Sequence, residues 1–210
     1  MERVRMALTK GRLEKKTLEL LARCGYDVSE LQQPSRKLIF QLPGTKMEIV
    51  LAKAPDVITY VEQGVCDVGV VGKDTIMEKG GSFYEVLNLG FGQCRFALAA
   101  PRGFSLDGGH RRLRIATKYP EVAKAFFAKK HRDVETIKIE GSVELAPLLG
   151  LADAIVDIVE TGSTLRENGL EVIEDVAAIS ARMIVNVASM KMKRQEILSL
   201  AKQLEQGAQS

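Results

Sequence analysis

The densest cluster of reactive side chains in this sequence is Asp157-Ile158-Val159-Glu160-Thr161-Gly162-Ser163-Thr164-Leu165. An apolar stretch carries an acid near its end, and a turn of small and hydroxyl residues follows. A Thr-Gly-Ser-Thr turn offers backbone N–H groups without bulky obstruction, together with the hydroxyls of Thr161, Ser163 and Thr164. If a helix starts there, its first turn adds partial positive charge, and the whole forms a cradle for a phosphate monoester. Asp157 and Glu160 suit other chemistry, since their oxygens could bond ribose hydroxyls or hold magnesium on the phosphates. The plain alternative is a Ser/Thr-capped turn with no ligand. An acid on so apolar a stretch is costly unless it has a partner, which favours the ligand.

A second candidate is Asp67-Val68-Gly69-Val70-Val71-Gly72-Lys73-Asp74, where Gly69 and Gly72 would allow close backbone approach and Asp74 would follow at a helix start. It has neither the GxGxxG nor the GxxxxGK[ST] spacing, so it is neither a dinucleotide fingerprint nor a P-loop. Basic residues beside a glycine, Lys10-Gly11-Arg12, and the pair Arg36-Lys37 could clamp a polyphosphate. The two histidines, His110 and His131, sit in basic surroundings that read as surface, which argues against a Ser-His-Asp triad or a His-ligated metal.

The elements that must position these groups follow from periodicity. Apolar runs predict strands at Val4–Leu8, Val68–Val71, Phe96–Ala99, Leu113–Thr117, Thr136–Ile139 and Ala154–Val159, with a hairpin around Pro43-Gly44-Thr45. Helical spacing predicts helices from Leu13 to Cys24, from Pro55 to Gly64, and near Thr75–Lys79, Glu121–Lys130, Val143–Leu149 and Ser163–Glu167. The run Val176–Val187 reads as one or two strands, Lys191–Gln206 as an amphipathic closing helix, and Arg102–Arg112 as an exposed loop. Alternation of this kind predicts an α/β fold with mostly parallel sheets, whose ligands sit at the carboxyl ends of strands.

Composition narrows the class. The 210 residues are 46% hydrophobic and 27% charged, and 30 Lys+Arg against 27 Asp+Glu leave a formal charge of +3. That is a folded chain, and the charge is too mild to predict nucleic-acid binding. Cys24, Cys66 and Cys94 are scattered and form no CxxC, so reduced thiols of a cytoplasmic protein are expected. No apolar run is long enough for a membrane helix, and the start has no signal-peptide pattern. The basic cluster Arg111, Arg112 and Arg114 reads by default as a solvated face.

The segment from Glu144 through Gly150, Ala152, Ile155, Asp157, Thr161-Gly162 and Thr164-Leu165 is similar to the signature of the ATP phosphoribosyltransferase family. Lys10-Gly11-Arg12, Ser35-Arg36-Lys37-Leu38 and the Asp67–Asp74 unit extend the resemblance over nearly the whole chain. The length resembles the short form, which lacks a C-terminal regulatory domain. This resemblance implies two lobes joined by two crossovers, like type II periplasmic binding proteins. Residues 1–90 plus 180–210 would form the first lobe and 91–179 the second, with crossovers near Phe96 and Val185. It implies transfer of a phosphoribosyl group from phosphoribosyl pyrophosphate to N1 of the adenine of ATP, as the first step of histidine biosynthesis. Magnesium would be carried on the substrate pyrophosphate. A histidyl-tRNA-synthetase-like regulatory subunit and a homodimer within a hetero-oligomer are implied as partners.

By the same resemblance Arg12 and Arg36, assisted by Lys10, would stabilise the leaving group. Glu160, Thr161, Gly162, Ser163 and Thr164 would grip the 5-phosphate, with Asp157 and Glu160 on the ribose hydroxyls. Gly11, Gly69, Gly72, Asp74 and Glu144 would complete the substrate surface. The competing expectations are a non-catalytic two-lobed module for small anions and a phosphoribosyltransferase acting on another base.

Overall fold

A computed structural model describes residues 3–106 and 112–209. The chain divides into two compact units, residues 1–92 with 180–210, and residues 93–179. It leaves the first unit after Gly92 and returns after Ile179.

The first unit holds β1 (Val4–Thr9), α1 (Arg12–Arg23), α2 (Ser29–Gln32), β2 (Ile39–Gln41), β3 (Met47–Ala52), α3 (Ala54–Glu62), β4 (Val68–Gly72), α4 (Lys73–Lys79) and β5 (Tyr84–Asn88). Its sheet runs β2-β3-β1-β4, then β11 (Ala181–Val185), then β5. Strands β3, β1 and β4 are parallel, with Leu8 level with Leu51 and Val70. On one face Met6, Leu8, Val68 and Val70 pack against Leu20 and Leu21 of α1 and Ile197, Leu200 and Leu204 of the closing helix. On the other face Ala7, Val71 and Ile184 pack against Val57, Ile58 and Val61 of α3. Burying both faces explains why these strands read as unbroken apolar runs.

The second unit contains β6 (Cys94–Pro101), β7 (Leu113–Thr117), α5 (Pro120–Lys129), β8 (Val134–Lys138), α6 (Leu145–Leu148), β9 (Ala154–Val159), α7 (Ser163–Glu167) and β10 (Leu170–Ile179). Its sheet order is β10-β6-β9-β7-β8, with β9, β7 and β8 parallel. The tail forms α8 (Val187–Met192) and α9 (Arg194–Gln209), back in the first unit.

The α/β class is as expected, and most strands of each sheet share one direction, with a few reversed strands that make both sheets mixed. Strands β2 and β11 run against the others in the first sheet, and β6 runs against the others in the second, so β5 and β10 pair antiparallel yet keep the common direction. Only the strands followed by a crossover helix have to be parallel. The apolar run Val176–Val187 resolves into the end of β10, a break at Ser180, and β11, with α8 starting at Val187. The predicted helix Val143–Leu149 shortens to α6, and the closing helix splits into α8 and α9.

The expected loop Arg102–Arg112 is described only in part; His110 and Arg111 lie outside the described residues. The neighbouring arginines are not simply solvated: Arg112 pairs with Asp133 at 3.0 Å, and Arg114 donates to the Gly150 carbonyl. His131 is exposed, in the left-handed region at φ 55°.

Candidate functional site

In the second unit β9 carries Val156 and Asp157 toward its carboxyl end, and the chain then turns sharply at Gly162, whose φ of 74° favours glycine. Glu144, Asp157, Glu160, Thr161, Gly162 and Thr164 line a depression of about 290 Å³. Ser163 is not in its wall but shapes it: its hydroxyl is 3.0 Å from that of Thr161 and its backbone N–H donates to Thr161 Oγ1 at 3.4 Å. Arg166 braces the turn by donating to the Thr161 carbonyl at 3.3 Å. The following helix is one turn long, so the expected dipole contribution is small, and the cradle depends on the local N–H groups.

Asp157 is half-buried, and that burial pushes its carboxyl above the usual range. The negative charge of Glu144 adds to the rise, while the Ile158 backbone and Lys118 oppose it. Lys118 carries no local signal in the sequence. What finds it is sheet register: it follows β7, whose Ala116 lies beside Ile155 of β9.

The first unit gathers the other predicted residues along one sheet edge. Lys10, Gly11 and Arg12 follow the carboxyl end of β1, and Gly72 and Asp74 lie at the carboxyl end of neighbouring β4. Thr9 Oγ1 ties the two ends by donating to the Val70 carbonyl at 2.9 Å. Arg36 belongs to the same edge, because the Leu38 carbonyl, two residues on, accepts from Leu51 N near the carboxyl end of β3. Gly11 has φ 99° and ψ −133°, a conformation essentially limited to glycine, and its N–H donates to Glu14 Oε2 at 3.0 Å. The side chains of Lys10 and Arg36 are exposed, whereas Lys37 is engaged with Glu30 and lies 4.9 Å over the Phe40 ring.

Two glycines in the Asp67–Asp74 unit have different jobs. A side chain at Gly72 would collide with the Asp74 carboxylate, so Gly72 lets that acid fold back over the strand end. Gly69, expected beside the substrate, is instead buried beneath α3. An added Cβ would sit 2.8 Å from Val57 Cγ1 and from Val61 Cγ2. Its role is helix–sheet packing.

A larger cavity of about 490 Å³ lies among Val4, Tyr26, Thr45, Met47, Leu200 and Gln203. It sits at the amino ends of β1 and β3, opposite the edge where parallel sheets hold ligands, and carries none of the predicted groups. Among the described residues no cluster of three or more His, Cys, Asp or Glu could hold a metal ion, and no helix is long and apolar enough to cross a membrane.

Residues 53–206 match the family model described as ATP phosphoribosyltransferase. The chain belongs to the ATP phosphoribosyltransferase family. A relative of that name from Clostridium kluyveri is 59% identical over 195 residues, covering 93% of this chain and 89% of its own. An ATP phosphoribosyl transferase (HisG:HisZ) complex from Thermotoga maritima contains a chain similar at 33% identity and a TM-score of 0.82, covering 98% of both chains. The alkanesulfonate-binding protein SsuA from Xanthomonas axonopodis pv. citri aligns with a TM-score of 0.57 at 12% identity, over 99% of this chain and 73% of that one. The second likeness bears on the fold alone and places this phosphoribosyltransferase-family chain with the periplasmic-binding-protein architecture.

Proposed function

We propose that the chain transfers the phosphoribosyl group of phosphoribosyl pyrophosphate to N1 of the adenine of ATP, with release of pyrophosphate, opening histidine biosynthesis. The observation that carries this reading is the depression at the end of β9, where acids and a hydroxyl-lined turn meet in a chain of this family. The N–H groups of the 161–164 turn hold the 5-phosphate. Asp157 and Glu160 accept from the ribose hydroxyls, and Glu144 lies beside them.

The nucleophile is a ring nitrogen with a free lone pair. Its electrons form the new bond to C1 of the ribose while the C1–oxygen bond breaks and its pair leaves with pyrophosphate. No proton has to depart first, so no strong general base is needed. Catalysis rests on positioning and charge stabilisation. Arg12 and Arg36, with Lys10, stand at one sheet edge of the first unit and neutralise the charge growing on the leaving group. Gly11 gives the backbone its turn there, and Gly72 and Asp74 border the same edge.

Magnesium would be carried on the substrate pyrophosphate, with Asp157 or Glu160 as the carboxylate nearest to it, since that ion characteristically binds through one or two carboxylates, waters and substrate phosphates. When bound, magnesium spreads the negative charge of the pyrophosphate. The chain pairs with itself and with a regulatory subunit resembling histidyl-tRNA synthetase; the HisG:HisZ relative supports the second of these, a complex with a HisZ-type subunit. It works in the cytoplasm, in keeping with its scattered cysteines.

The test is direct. The purified chain, alone and with that partner, is mixed with ATP, phosphoribosyl pyrophosphate and magnesium, and adduct absorbance and pyrophosphate are followed. Equal amounts of both are expected. No product in either preparation overturns the reading, and product from another base in place of ATP reassigns the acceptor.

A further inference from the structure

The charged side chains that line the depression at the end of β9 are all acids. Glu144, Asp157 and Glu160 line it, and no lysine or arginine does. A phosphate monoester brings nearly two further negative charges at neutral pH. The one-turn α7 supplies little dipole, and the nearby Arg166 donates into the turn itself, to the Thr161 carbonyl. A neighbouring strand can bring a further cation to it.

The register of the second sheet supplies one. Ala116 of β7 pairs with Ile155 of β9, and Thr117 Oγ1 donates to the Val156 carbonyl at 2.6 Å. The next residue, Lys118, therefore stands level with Asp157. On its other side the Thr117 carbonyl accepts from Ile139 N at 3.0 Å, which sets Lys118 beside the segment leading to Glu144. Lys118 is exposed, and its ammonium makes no hydrogen bond or ion pair among the described residues. Its positive charge is felt by both Asp157 and Glu140. Glu140 is already engaged by Lys138 at 3.0 Å.

We propose that Lys118 is a donor-binding residue whose ammonium reaches past Asp157 to the phosphate oxygens seated on the 161–164 turn. This rests on the function proposed above and adds a positive charge from the end of β7 beside the seated phosphate. A flexible ammonium fits this role, because it can rotate its three donors toward a phosphate while remaining solvated in the free protein.

The experiment uses the full chain and two probes, ribose 5-phosphate and inorganic pyrophosphate, with binding measured by calorimetry. Lys118→Met keeps the stem and removes the charge; Lys118→Arg restores the charge. The Met variant should bind ribose 5-phosphate about tenfold or more weakly, with pyrophosphate affinity unchanged, and the Arg variant should recover most of the loss. In turnover the Met variant should raise KM for phosphoribosyl pyrophosphate while kcat stays within about twofold. Wild-type affinity for ribose 5-phosphate in the Met variant overturns the proposal. Equal loss of both probes also overturns it, since that marks a general field rather than a contact. A wild-type chain that forms no adduct from ATP defeats the functional reading instead, and the two failures are distinguishable.

Discussion

Asp157→Asn separates the chemical role of this acid from its cost to the fold. The folded site holds Asp157 above its ordinary range, chiefly through burial and then through Glu144. Between the ordinary carboxylate range and that raised value, the folded chain keeps a proton that the unfolded chain has released. Stability of the unliganded protein therefore rises as pH falls through this window, and above it the buried charge is a burden. Asn carries no charge and fits the same space. The variant should melt at a higher temperature than wild type near neutral pH, and the gap should narrow as the solution is acidified into the window. Catalysis should move the other way. Asn Oδ1 can still accept from a ribose hydroxyl but without the charge, a loss of about 1–1.5 kcal/mol, which should cut kcat/KM for phosphoribosyl pyrophosphate by about five- to tenfold. Calorimetric melting across pH and initial-rate kinetics provide the two readouts. A lower melting temperature together with unchanged kcat/KM would refute both the burial argument and the contact.

Arg36→Ala should lower kcat far more than it weakens binding of phosphoribosyl pyrophosphate, because charge on the leaving group grows only in the transition state; a pure affinity loss in steady-state kinetics would contradict that role. Gly69→Ala forces a methyl against Val57 and Val61 and should destabilise the chain by about 1–3 kcal/mol in urea titration, with KM values preserved in the folded fraction. Lys193→Met strips the ammonium that lies 2.9 Å from both oxygens of buried Asp67, leaving that acid Ser189 Oγ and Arg5 N as hydrogen-bond donors among the described residues. The expected loss is about 3 kcal/mol by the same titration, and Asp67→Asn in the Lys193→Met background should recover part of it.

What the sequence discloses follows from locality. The turn at Thr161–Thr164 is legible because strand, acid, glycine and hydroxyls are contiguous. Strands β1, β4 and β9 are legible because burial on both faces leaves an apolar run. Strand β5 is not: Tyr84–Asn88 is largely exposed or half-buried, and its pairing partner is β11, far along the chain. The break inside Val176–Val187, which the sequence leaves open as one strand or two, is not marked locally because the residues on both sides of Ser180 are equally apolar. The interruption is fixed by distant contacts: the Ser180 carbonyl accepts from Lys73 N and its hydroxyl bonds Asn88. Gly69 misleads because a glycine beneath a packed helix is spelled like a glycine beside a ligand. Lys118 is invisible because only the pairing of β7 with β9 sets it beside Asp157.

Because β11 enters the first sheet between β4 and β5, the order of synthesis has a cost. On the ribosome, β4 emerges early with one edge open, and β5 has no neighbour in the sheet until residues 181–185 have been made. The inserted unit can close on itself while the unit that began the chain still waits for its last strand. Nascent chains stalled or truncated before Ala181 would thus expose the apolar edge of β4 to other chains.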